Sequence, residues 1–117
     1  MDKIISISYK RFLEKFAQDF IDQYIDDVIS TFSKSESMTF REYLKDIDFK
    51  YRVEDEMKHN LIDIAKDLGL DYVATLSLES DKDFLNRVYT DCRDMVKKKV
   101  FDYISDTIYF QLADRIN

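Results

Sequence analysis

Apolar residues recur every three and four positions along most of this chain, and that spacing predicts long helices. From Tyr9 to about Phe32, the residues Phe12, Leu13, Phe16, Ala17, Phe20, Ile21, Tyr24, Val28 and Phe32 share one side, and Arg11, Lys15, Gln18, Asp19, Asp22 and Asp26 share the other. A face this wide is what a helix packed on a core requires. Ser6 or Ser8 is the candidate cap at its start. After the serine-rich break at 33–37, Thr39 and Glu42 have the spacing of a capping box, with Met38 and Tyr43 placed as a hydrophobic staple. A helix is therefore expected from Phe40, with Phe40, Tyr43, Leu44 and Ile47 on its inner face. The phase slips near Asp48, and a new set follows at Val53, Met57, Leu61, Ile64 and Leu68. Gly69, the single glycine, stands just past that set, where a helix closes in the left-handed conformation.

Two segments lack the helical period. Residues 3–8 alternate Ile5 and Ile7 with serines, and residues 72–78 read VAT and LS in a β-rich run. A small two-stranded pair between 3–8 and 72–78 is one reading; a short helix or apolar loop at 72–78 is the other. Ser80 with Asp83 then suggests a cap, and no proline or glycine interrupts the chain from there to about Ala113. One helix over this stretch would be about 50 Å long at about 1.5 Å per residue. A round domain of this size has a radius of gyration of about 13 Å. Such a helix either kinks near Lys97–Lys99 or overhangs and packs on another subunit. Its second half is apolar around the whole axis, which marks a helix for burial. Phe101, Ile104, Ile108, Tyr109, Phe110 and Leu112 are accordingly the candidate interface, with Ile116 continuing the same surface.

The expected fold is mainly all-α: a single domain over 1–117, built as a bundle of three to five helices with a long C-terminal helix. The length of 117 residues suits one domain with a core of its own. The net charge of −6 argues against bulk capture of nucleic acid. The single cysteine, Cys92, excludes an internal disulfide and suits a reducing, cytoplasmic setting. No signal peptide or membrane span is read, and no membrane partner is expected.

Candidate chemistry is sparse. His59 is the only histidine, with Glu56 and Asp63 on its helix face, but a di-iron bundle needs a second such motif. Cys92 falls in an apolar line, where a core thiol is the default. No phosphate loop, metal cluster or catalytic pair is present in the pattern, so no enzyme, cofactor or metal is expected. Asp19, Asp22 and Asp26, with Glu54 and Asp63, form a candidate acidic surface for docking on a basic protein. Arg93, Lys97, Lys98 and Lys99 form the only basic cluster, although consecutive lysines on a helix fan out rather than line up.

The expectation is a small acidic helical protein-interaction module, a regulator or inhibitor of a larger protein with a basic surface. Compact acidic proteins of this kind occur in phages and mobile elements, an origin that composition does not establish. One alternative is a dimeric nucleic-acid-associated regulator using the basic cluster. Another is structural self-assembly. Partners are thus a protein or a second copy, with nucleic acid less supported.

Overall fold

The computed structural model describes residues 7–67, 69–107 and 109–116. Within them the chain forms α1 (Ile7–Lys34), α2 (Phe40–Asp46), α3 (Phe49–Asp67), α4 (Tyr72–Glu79), α5 (Lys82–Ser105) and a final 3-10 helix, α6 (Phe110–Arg115). The all-α bundle expected from the periodicity is what is found, and no strand occurs among the described residues. The bundle is elongated, 48 × 24 × 24 Å, with a radius of gyration of 15.7 Å. A long helix therefore lies along the body without overhanging it.

The aromatic periodicity of α1 becomes the centre of the core. Phe12, Phe20, Ile21, Ile25, Val28 and Phe32 are buried, and α1 shares its most extensive interface with α5. Phe49, at the start of α3, packs edge-on against Phe16 and Phe20 of α1 and Tyr89 of α5, with ring centroids 5.6, 5.9 and 5.9 Å away. Such edge-to-face pairs are favourable beyond the area they bury, because ring edge and ring face carry opposite partial charge. One side chain thus ties three helices together.

Local signals set several boundaries where the sequence places them. The Thr39 Oγ1 accepts from the Glu42 amide at 3.1 Å, and Glu42 Oε1 accepts from the Thr39 amide at 3.2 Å. The joint between α2 and α3 falls at Asp48, which adopts φ 56°; aspartate tolerates this left-handed region better than most residues. Gly69, at φ 72°, ends α3: its amide and that of Leu70 donate to Lys66 and Ala65 carbonyls, both at 3.0 Å.

Three expectations are corrected. The β pair does not form, and the short-helix alternative for 72–78 is what is found: these residues lie in helix α4, and Ile7 and Ser8 lie in α1, while residues 3–6 lie outside those described. Asp71 decides this locally, since its carboxylate accepts from the Ala74 amide at 2.8 Å and caps the helix. The cap of α5 is Asp81, accepting from Asp83 and Phe84 amides, and not Ser80.

The third correction concerns the C-terminal rod. Helix α5 runs unbroken through Lys97–Lys99 and stops at Ser105. Thr107 Oγ1 donates to the Ile104 carbonyl at 2.9 Å and accepts from the Tyr109 amide at 3.2 Å. A hydroxyl that competes for backbone groups in this way ends a helix without proline or glycine. The chain then returns over α5 and α1, burying Leu112, Ala113 and Ile116.

Arg115 fixes the return. Its guanidinium donates to the carbonyls of Phe32 (2.6 Å), Ser35 (2.5 Å) and Met38 (2.9 Å), and lies 5.0 Å over the Phe32 ring. The end of α1 leaves carbonyls without intrahelical partners; a side chain about 80 positions away supplies the donors. Replacing it leaves those oxygens orphaned. Arg115→Met is expected to cost about 2–4 kcal/mol, read as a lower urea midpoint with unchanged slope.

The opposite end of α1 is tied in a similar way. The Ser8 amide donates to Asp67 Oδ2 of α3 at 2.8 Å. Hydrogen bonds from Ser8 hold the Asp67 carboxyl below its ordinary value of 3.8. A depressed folded value means the contribution is fully present above 3.8 and is lost as pH falls through the lower value of the folded chain. Hydrogen exchange of the Ser8 amide is expected to accelerate, relative to mid-α1 amides, as pH drops below 3.8, and Asp67→Asn is expected to remove that dependence.

Candidate functional site

Three of the grooves on the described surface take in the exposed apolar face or the expected charged residues. The first is the face built by α3 and α4. Between its caps, Asp71 and Ser80, helix α4 reads YVATLSLE, with no charged residue before Glu79, yet none of its described side chains is buried. Val73 is 70% exposed, Leu76 48% and the neighbouring Ile62 of α3 69%. Ile62 and Leu76 border a groove of about 360 Å³. Its α3 wall carries Lys58 and Lys66, and Asp71 and Glu79 flank the α4 side. None of these four charges forms an ion pair among the described residues.

The second is a groove of about 480 Å³ between α1 and α3, lined by Phe16, Phe20 and Tyr24 and by the carboxylates of Asp19, Asp48, Asp55 and Glu56. Its one cation, Arg52, lies 5.1 Å over the Tyr24 ring and donates to the Ile47 carbonyl. Asp19 from the expected acidic surface therefore faces this groove. Asp22 and Asp26 are exposed on α1, Asp63 is exposed on α3 and Glu54 is half-buried there. Asp19 is 4.0 Å from Lys15, and Asp22 accepts from Gln18.

The third is a cleft of about 690 Å³ where the 36–41 segment, α5 and α6 meet. It takes only Arg93 and Lys97 from the expected basic cluster. Lys98 is exposed and lies 3.5 Å from Asp102, and Lys99 is not among the lining residues. The four cations do not form a continuous track. Arg41 and Arg115, from outside the basic run, complete the cleft; nothing local in the sequence marks them as its members.

The expected C-terminal interface is divided by the fold. Ile104 and Leu112 belong to this chain's own core, as does Ile116, because the return of α6 covers them. Phe101 packs partly against that core. Tyr109 and Phe110 remain exposed, 38% and 65%, and Ile108 lies outside the described residues. The oily circumference is thus covered in part within one chain, at Ile104, Leu112 and Ile116.

His59 sits on the exposed side of α3, with Nδ1 2.7 Å from the Asp55 carbonyl and 3.9 Å from the Asp55 carboxylate. Its partner is Asp55, one turn back, rather than Glu56 or Asp63. Among the described residues no group of three His, Cys, Asp or Glu is placed to hold a metal, and no helix is long and apolar enough to cross a membrane. Two tyrosines make long-range ties instead: Tyr9 Oη donates to Asp91 at 2.7 Å, and Tyr43 Oη to Asp27 at 2.6 Å. Burial, reinforced by these carboxylates, raises both phenols above their ordinary value.

Comparisons of the chain with protein-family models, with curated proteins and with solved structures found no match.

Cys92 is fully buried, and burial, with Asp91 nearby, pushes its thiol above the ordinary value. The reactive thiolate is therefore suppressed. A thiol reagent at neutral pH is expected to leave Cys92 unmodified in the folded chain and to label it fully in denaturant.

Proposed function

We propose that this chain is a helical protein-interaction module that docks through its α3–α4 face onto a second copy of itself. The observation that carries the reading is α4: the segment with the fewest charges is also the helix with no buried described side chain. Leaving an apolar side chain in water forfeits about 1.5–3 kcal/mol; Ile62, Val73 and Leu76 are all in that condition, and Ile62 and Leu76 share one groove.

The charges around the groove favour a second copy as its occupant. Lys58 and Lys66 are eight residues apart on α3, and Asp71 and Glu79 are eight residues apart across α4. Each pair spans about 12 Å of helix. In a two-fold contact the same patch meets itself. The acidic pair of one copy then faces the lysine pair of the other, with Ile62 and Leu76 between them. The acidic α1–α3 groove stays outward in this arrangement. That supports the use of the assembled pair as a regulator of a protein with a basic surface, since complementary charge speeds and orients such an encounter.

Native mass spectrometry and sedimentation test the docking. The unaltered chain is expected at twice its 14.1 kDa mass. Ile62→Asp and Leu76→Glu are each expected to give a monomer with unchanged helical content, because both side chains line the groove and are exposed in the single chain. Each substitution acts twice across the two-fold, so the dissociation constant is expected to rise at least about 100-fold. A monomer at high concentration, or a dimer indifferent to both substitutions, overturns the reading.

A further inference from the structure

The cleft between the 36–41 segment, α5 and α6 shares no residue with the α3–α4 face and is built differently. Its apolar lining includes Phe40, Leu44 and Ile116, all buried, with Met38 and Tyr89 half-buried. Six charged residues line it: Arg41, Arg93, Lys97 and Arg115 against Glu36 and Asp114. Four cations less two carboxylates leave a surplus of two positive charges, in a chain whose net charge is −6.

The charges are also sorted by depth. The three half-buried ones, Arg93, Lys97 and Arg115, are all cationic, while Glu36 and Asp114 are both exposed. Partly buried charges are less screened and act more strongly on a ligand than exposed ones. Arg41 and Lys97 have no ion-pair partner among the described residues, and the acid paired with Arg93 is Asp94, outside the cleft. Arg115 contributes charge without spare mobility, since its donors are held by three carbonyls. The wall it forms is fixed before any ligand arrives, which lowers the cost of binding.

We infer that this cleft binds a small organic phosphate, with Arg93, Lys97 and Arg41 on the phosphate oxygens and Tyr89 and Met38 against the organic body. A surplus of two charges suits a phosphate or pyrophosphate ester better than a single carboxylate. The forked donors of arginine match phosphate oxygens two at a time. The volume of about 690 Å³ falls in the range of pockets that take nucleotide-sized molecules.

The test uses the isotope-labelled full chain with adenosine diphosphate, inorganic pyrophosphate and adenosine as probes. Adenosine diphosphate is expected to shift the amide resonances of residues 36–41 and 89–97 in the unaltered protein, to bind more tightly than pyrophosphate, and to weaken as salt rises. Adenosine without phosphate is expected to leave those resonances unchanged. Lys97→Gln and Arg93→Gln are each expected to weaken adenosine diphosphate binding at least about tenfold, with melting curves confirming that the variants fold. Lys98→Gln, on the neighbouring exposed position, is expected to leave binding intact. The inference is overturned if adenosine diphosphate moves no cleft resonance, if pyrophosphate binds equally well, or if Lys98→Gln weakens binding as much as Lys97→Gln.

Discussion

The guanidinium of Arg115 closes this fold. It brings the C-terminal segment back onto the end of α1 and the link to α2, and satisfies three carbonyls there, of Phe32, Ser35 and Met38. Because it holds α6 in place, Leu112 and Ile116 enter the core and Ile104 is covered. The same side chain forms one wall of the basic cleft. An ion with five directional donors is well suited to such a junction, where several backbone acceptors converge and no helix continues.

This return redistributes the exposed apolar surface. A straight rod would carry its oily residues outward, towards another chain. The return covers Ile104, Leu112 and Ile116 and leaves Tyr109 and Phe110 exposed, and another uncovered apolar surface lies on α3 and α4. Helix α4 is too short to reach across the body, and it packs chiefly on α3 and α5. The long α1–α3–α5 core, joined at Phe49, has already buried the surface it needs. What remains on α4 is uncovered in the single chain, beside the Lys58–Lys66 and Asp71–Glu79 pairs on which the proposed docking rests.

The molecule also separates its charge. Carboxylates dominate the α1–α3 groove, where Arg52 is turned inward onto Tyr24 and the Ile47 carbonyl. Cations dominate the half-buried positions of the cleft. A net charge of −6 conceals both. Net charge governs long-range steering, whereas a bound ligand responds to the few groups within a Debye length of about 8–10 Å.

Helices α1, α2 and α3 are legible in the chain itself, because period, the Thr39–Glu42 capping box and a left-handed glycine act within a few residues. Phe12 to Phe32 reads as a buried stripe, Thr39 with Glu42 as a start and Gly69 as a stop, and all are found so. Two local signals were harder to weigh: Asp71 as the cap of α4, and the Thr107 hydroxyl that ends α5, each a side chain competing with backbone for a hydrogen bond. Tertiary structure alone decided which apolar residues stay uncovered and which charges share a cleft. Arg41, Arg93 and Arg115 meet only after folding, and Ser8 finds Asp67 across 59 positions. Periodicity records which face of a helix is apolar. It carries no trace of which distant side chain satisfies a helix end, since that hydrogen bond exists only once the helices have packed.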